Sequence, residues 1–263
     1  GVYKNPKLHD VEADASSATY PLAIAAITGS TVTAEAIGAQ SCQGDAAFHT
    51  LCAAMGCTVK QTDADTTVTG PRKGQRLKAF DLDMESMTDA FMTAAALAAV
   101  ADGTSTITGI ANQRVKECNR IEATLTELRK LGVSCEELED GIRVTGKDPA
   151  TMTPARVHCY KDHRIAMSFA VLGCAAAGVT LTDTACVDKT YPDFWSHLAT
   201  QFNIDLEASE RDPSDKQGHG PATPAGPPSL VLVGMRGCGK TSLAKALARE
   251  EGLVAVDLDE EFE

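Results

Sequence analysis

The stretch FMTAAALAAVADGTSTITGIA, residues 91–111, carries the reading of the fold. It opens as an apolar run dominated by alanine, reaches Gly103, and continues as a β-like segment. The same order recurs in YPLAIAAITGSTVTAEAIG, which starts at Tyr20, and in MSFAVLGCAAAGVTLTDTA, which starts at Met167. The turn glycines Gly29, Gly103 and Gly178 are spaced 74 and 75 residues apart. A second helical stretch follows each β segment: FHTLCAAMG, IEATLTELRKLG and FWSHLATQFN. In the first two copies a pair of strands comes next, ending VTG at Gly70 and again at Gly146. Each unit reads helix, strand, helix, strand, strand, preceded by a short strand such as LKAFDLDM. One such unit cannot bury its own apolar face. Three units around a pseudo-threefold axis can share one core, with alanine- and glycine-rich helices packed closely inside. The predicted class is an α/β lobe of three helix–strand repeats.

Bulk properties narrow the function classes. Hydrophobic residues make up 43% and charged residues 23%, ordinary for a soluble globular chain. No stretch approaches the roughly 18 apolar residues of a membrane-spanning helix. The first residues, GVYKNPKLHD, contain neither an initiator Met nor an apolar signal region, which suggests an excerpt from a longer polypeptide. A net charge of −12 argues against a nucleic-acid or acidic-membrane surface, yet leaves room for a local basic pocket. The nine cysteines include no CxxC pair, and most lie among Ala, Met, Leu and Val. They read as small buried hydrophobes in a reducing compartment, without the spacing of a zinc site.

The sharpest break in composition is ASERDPSDKQGHGPATPAGPPS, residues 208–229, rich in Pro, Gly and charge. It reads as a flexible linker between a body, residues 1–207, and a C-terminal piece, residues 230–263. That piece opens with the apolar run Leu230 to Val233, a predicted strand. Gly234, Met235, Arg236, Gly237, Cys238, Gly239, Lys240 and Thr241 then fit G-x-x-x-x-G-K-[ST], and an amphipathic helix follows. In this context backbone N–H groups cradle phosphates, Lys240 reaches the β/γ oxygens and Thr241 ligates Mg²⁺. A second strand ends at Asp257 and Asp259. Too few residues follow the loop for a phosphoryl-transfer domain of the usual ~150 residues.

Charged residues collect in two of the repeats. NQRVKECNRIEATLTELRKLG, residues 112–132, places Arg114, Lys116, Glu117 and Arg120 at a strand-to-helix transition. A helix N-terminus already attracts anions, and two further cations strengthen it. A solvated helix start of mixed charge is the plainer alternative. The third repeat carries YKDHRIAMS, with His163 and Arg164, and CVDKTYPDFW, with Cys186 and Lys189. Lys116 and Lys189 fall at equivalent points, 73 residues apart. Pseudo-symmetric packing would bring Lys116, Arg120, Arg164 and Lys189 to one face. Asp89 in SMTDAFMTAAA would be its acidic member, although a helix-capping carboxylate is the other reading.

RVKECNRIEATLTELRKLG, DHRIAM, CVDKTYPDFW and DASSATYPLA together resemble the EPSP synthase (3-phosphoshikimate 1-carboxyvinyltransferase) family over roughly residues 1–207. The resemblance covers one of that family's two lobes. It implies transfer of the enolpyruvyl group of phosphoenolpyruvate to the 5-hydroxyl of shikimate 3-phosphate, by addition and elimination, with no cofactor. By position, Asp89 would hold the shikimate hydroxyls and act as base, and Glu117 would move the proton at the methylene carbon. Lys116 would bridge the two substrates, Arg120 and Arg164 would clamp phosphoenolpyruvate, and Asn112 would contact shikimate 3-phosphate. Lys189 would bind phosphoenolpyruvate and assist proton transfer, with Cys186 as a weaker catalytic candidate. His163 would orient Glu117 or Arg164.

The C-terminal piece, GMRGCGKTS followed by DLDEEFE, resembles the opening of shikimate kinase. This implies ATP and Mg²⁺, with Thr241 and Asp257 at the metal and Asp259 on shikimate. Synthase followed by kinase is the domain order of the pentafunctional AROM family. The resemblance therefore implies a cytoplasmic, homo-oligomeric parent with small-molecule substrates and neither nucleic acid nor membrane as partner. The 263-residue piece alone is expected to have little of either activity. Other readings are a sibling enolpyruvyl transferase acting on UDP-N-acetylglucosamine, a P-loop NTPase with an upstream binding domain, and a non-catalytic scaffold lobe.

Overall fold

The computed structural model describes residues 11–72, 74–204 and 206. The expected linker, the nucleotide loop Gly234–Thr241, Asp257 and Asp259 lie outside the described residues.

The first repeat comprises α1 (Ala15–Thr28), β1 (Thr31–Ala34), α2 (Phe48–Ala54), β2 (Thr58–Gln61) and β3 (Thr66–Thr69). The second comprises β4 (Asp81–Asp83), α3 (Phe91–Ala98), β5 (Thr104–Thr108), α4 (Arg120–Lys130), β6 (Ser134–Leu138) and β7 (Gly141–Thr145). The third comprises β8 (Ala155–Val157), α5 (His163–Gly173), β9 (Val179–Leu181) and α6 (Phe194–Thr200). The first sheet has order β1-β3-β2. The second repeats this arrangement as β5-β7-β6 and adds β4 parallel to β5. In the third repeat β8 and β9 pair in parallel. The repeat read from the sequence is thus complete in the second copy and abbreviated in the third.

The helices α1, α3 and α5 pack against one another at the centre. Every residue of α3 is buried, which its sequence allows because it carries no charge and its four alanines let neighbouring backbones approach. A single polar contact, Thr93 Oγ1 to Ser168 Oγ at 3.2 Å, joins α3 to α5 in that interior. Two of the helices start earlier than their apolar runs. The side chain of Asp14 accepts from Ser16 N and begins α1 at Ala15. Asp162 likewise accepts from Arg164 N and begins α5 at His163.

The carboxyl ends of this trio are built from glycine and backbone. Gly29, at φ 74°, closes α1 in the left-handed region and donates its N–H to Ala25 O. Gly103 and Gly178, its counterparts, lie at φ 115° and 80°. The two VTG endings have a common cause. A Cβ on Gly70 would collide with Ala25 O in α1, and one on Gly146 with Ala101 O just past the end of α3, so each strand end lies against backbone at the carboxyl end of a central helix.

Candidate active site

The amino ends of the three central helices meet. Asp45, ahead of α2, accepts from Ser16 Oγ in the first turn of α1. Asp89, in the 3-10 turn just before α3, lies 3.1 Å from Arg164 Nη2 in the first turn of α5. The Arg164 guanidinium also faces the Tyr20 phenol on α1. Three positive helix ends therefore border one surface region, a setting that favours anions.

Arg120, the first residue of α4 and only 1% exposed, is the hub. Its Nε donates to Asp162 Oδ2 at 2.7 Å and its Nη2 to Glu117 Oε2 at 2.6 Å. Its Nη1 donates to Asp89 Oδ1 at 3.2 Å and to Gln113 Oε1 at 2.9 Å. Asp162 is fully buried, so its charge depends on this fork. Outward from the hub, Lys116 Nζ lies 3.9 Å from Asp89 Oδ1 and Lys189 Nζ lies 3.5 Å from Glu117 Oε1. His163 Nδ1 is buried without a hydrogen bond, 3.8 Å from Glu117 Oε1. Asn112 Nδ2 donates to Thr88 Oγ1, beside Asp89.

The charges set one another's proton affinity. Burial works to raise the Asp89 carboxyl, but Arg164, the Gln113 hydrogen bond, Arg120 and Lys116 together hold it below its usual value. Glu117 is also lowered: burial opposes this, while a hydrogen bond from its own backbone N–H, Arg120 and Lys189 prevail. For His163 the sign follows from burial first and then from Arg164, so the imidazole is held neutral. Glu117, Asp162 and His163 offer ligand atoms within 4.8 Å of one another, a spacing a metal could use. Arg120 already bonds both carboxylates, so the cation those oxygens hold is a guanidinium.

The structure thus brings Asp89, Asn112, Lys116, Glu117, Arg120, His163, Arg164 and Lys189 into one neighbourhood. Asp89 is not a helix cap here; it accepts from cations and an amide instead. Arg114, also noted among the charges, turns away to Glu137 and the Leu138 carbonyl. Cys186 is pushed up to about 12 by burial and by Asp183 and Asp162, which leaves a protonated thiol. Eight cysteines are free among the described residues. Sequence reasoning missed Gln113, which is wholly buried and links Arg120, Asp89 and Asn112. It also missed Asp162 as the partner of Arg120. The signal for both was their place inside the charged segments, one residue beside Asn112 and His163.

The family model for EPSP synthase (3-phosphoshikimate 1-carboxyvinyltransferase) matches residues 1–198. The pentafunctional AROM polypeptide of Yarrowia lipolytica is 52% identical over 266 residues, covering 100% of this chain and 17% of the relative. That of Candida tropicalis is 49% identical over 269 residues, with 98% and 17% covered. An EPSP synthase structure from Acinetobacter baumannii superposes with TM-score 0.63 at 30% identity, over 73% of this chain and 46% of that one. The enolpyruvyl transferase NikO from Streptomyces tendae shares the fold, with TM-score 0.55 at 17% identity over 72% and 43% of the two chains. The chain therefore spans about a sixth of the AROM relatives and under half of the solved synthases. With its three-repeat fold and the family match through residue 198, the chain belongs to the EPSP synthase family.

Proposed function

We propose that this chain supplies one lobe of an enzyme that transfers the enolpyruvyl group of phosphoenolpyruvate to the 5-hydroxyl of shikimate 3-phosphate. The observation that carries the reading is the Arg120 hub. In a chain of net charge −12, four cations gather with Asp89 and Glu117 at the amino ends of three helices. Both substrates are polyanions, and pre-positioned cations stabilise the charge that shifts during transfer.

The proton steps follow from the pairing. Arg164, Arg120 and Lys116 engage Asp89. Arriving phosphate and carboxylate groups compete for Arg164 and Lys116, which frees Asp89 to take the proton of the attacking 5-hydroxyl. The 5-oxygen bonds to C2 of phosphoenolpyruvate as C3 gains a proton, giving a tetrahedral intermediate. Loss of a C3 proton and of phosphate then restores the double bond in the product. Glu117 exchanges the C3 proton. An anion that recruits Lys189 raises the proton affinity of Glu117, as the addition step requires. Neutral His163 keeps Glu117 company without competing for its charge. Lys116 bridges the substrates, Arg120 and Arg164 hold phosphoenolpyruvate, and Asn112 contacts the 3-phosphate. The chemistry needs no cofactor.

The finer parts of the reading concern the parent polypeptide. Residues 230–263 begin a shikimate kinase that uses ATP and Mg²⁺, with residues 208–229 as the linker, inside a cytoplasmic AROM-type protein. The loop sequence Gly234–Thr241 and the AROM relatives, which match across the linker and loop, support this. The family model and the 30% identity to a solved EPSP synthase favour shikimate 3-phosphate over a nucleotide-sugar acceptor. No helix among the described residues is long and apolar enough to cross a membrane.

The test is turnover by a two-lobed polypeptide that contains this chain. Phosphate release should require both substrates, and Asp89→Asn should slow it about 10²–10⁴-fold with the fold retained. Release at an unchanged rate in that variant would overturn the assignment of Asp89.

A further inference from the structure

One wholly buried carboxylate takes no part in the ion network just described. Glu127 lies on α4 seven residues after Arg120, two helical turns on, so both residues point to the same side. That side faces the segment between β8 and α5. Glu127 Oε2 accepts from His158 N at 3.0 Å, and Oε1 accepts from Tyr160 Oη at 2.9 Å. Lys130 Nζ, partly in solvent, donates to both oxygens at 2.8 and 2.7 Å. Two residues after Tyr160 stands Asp162, which holds Arg120.

The segment has a reason to need holding. Tyr160 and Lys161 both sit at φ 55°, in the left-handed region, and neither is glycine. Two successive residues of this kind cost energy and persist only where the surroundings fix them. Glu127 fixes this segment from the Tyr160 side chain and the His158 backbone. The His158 ring packs edge-on against Tyr160 at 4.5 Å and meets Thr182 Oγ1 at 3.2 Å, completing the anchor.

We propose that Glu127 is a positioning residue: by holding residues 158–160 against α4 it sets Asp162, and through Asp162 the orientation of the Arg120 guanidinium. Its carboxylate bonds Lys130, His158 N and Tyr160, none of them a member of the network. The reading of Arg120 as a ligand of phosphoenolpyruvate belongs to the proposed function, but the coupling of Glu127 to Arg120 does not depend on it.

Two measurements keep these claims apart. On the 263-residue chain, hydrogen exchange of the Arg120 Nε–H reports its bond to Asp162 directly. Glu127→Gln and Tyr160→Phe should speed that exchange about tenfold, while backbone amides of α1 and α3 keep their rates. Adding Lys161→Gly to Glu127→Gln should return exchange most of the way, because glycine adopts the left-handed conformation without strain. In the two-lobed polypeptide, the same variants should raise KM for phosphoenolpyruvate about tenfold and leave KM for shikimate 3-phosphate within about twofold. If Arg120 exchange is unchanged in both single variants, or rises only together with all amides and without glycine rescue, the positioning role is wrong. If exchange responds as stated but no variant alters KM for phosphoenolpyruvate, the coupling stands and the substrate assigned to Arg120 falls.

Discussion

The two ends of the central helix trio contrast in chemistry. At the amino ends, side chains do the joining: Arg120 and Arg164 tie Asp89, Glu117 and Asp162 across three elements. At the carboxyl ends, backbone does it: Gly70 and Gly146 lie against the carbonyls of Ala25 and Ala101. A long cation at that end, Arg76, donates to the carbonyls of Val100 and Ala101, where α3 finishes and a positive charge is favoured. The difference teaches how one fold separates its duties. Close backbone contact fixes the helices at their carboxyl ends. Charge concentrated at the other end leaves a polar surface whose cations can exchange an internal carboxylate for a ligand's anion.

This contrast makes substitutions at the two ends differ in kind. The largest effect should come from Arg120→Met, which strands the buried Asp162 carboxylate. Loss of one partner of a buried ion pair costs roughly 3–5 kcal/mol, so urea unfolding should move by that amount and substrate binding should vanish with it. At the opposite end, Gly146→Ala forces a Cβ into the Ala101 carbonyl, and about 1–3 kcal/mol of stability should be lost. There, KM values for both substrates should stay unchanged at temperatures where the variant is folded. A shift in KM from Gly146→Ala would break the proposed division between the ends.

A smaller effect concerns pH. The folded protein holds His163 below its usual value of 6.5, so the unfolded chain binds that proton more readily. Stability should therefore fall as pH drops below about 6.5, until the folded imidazole also protonates. Asp89 and Glu117 are lowered as well, and their contributions are lost only further down, below the ordinary values of 3.8 and 4.5. Replacing His163 by Gln should flatten the upper part of the unfolding profile and leave the acidic limb in place. An unchanged slope between pH 6.5 and 5 would remove His163 as its source.

Much of the carboxyl end was legible in the sequence. Glycines recur at a fixed spacing, and VTG recurs because each strand end meets backbone at the carboxyl end of a central helix, in α1 or just past α3. An uncharged run rich in alanine also marked α3, every residue of which is buried. The amino end was legible in its residue types and not in its pairings. Lys116, Glu117 and Arg120 stand out as charges, but nothing local says that Arg120 turns inward to Asp162, 42 residues away. Gln113 looks like an ordinary polar loop residue until the Arg120, Asp89 and Asn112 contacts enclose it. Helix starts shifted for a similar reason: Asp14 and Asp162 cap α1 and α5 ahead of the apolar runs that mark them in sequence.

The central claim is that the amino ends of the trio form an anion site for phosphoenolpyruvate and shikimate 3-phosphate. Its most direct test is calorimetric titration of a two-lobed polypeptide containing this chain with both substrates, for the wild type and for Lys116→Glu and Arg164→Glu. The account predicts saturable binding in the wild type and a loss of at least about 2–5 kcal/mol of binding free energy in each charge reversal, with unfolding still cooperative. Binding of both substrates at wild-type affinity in the two reversals would contradict it.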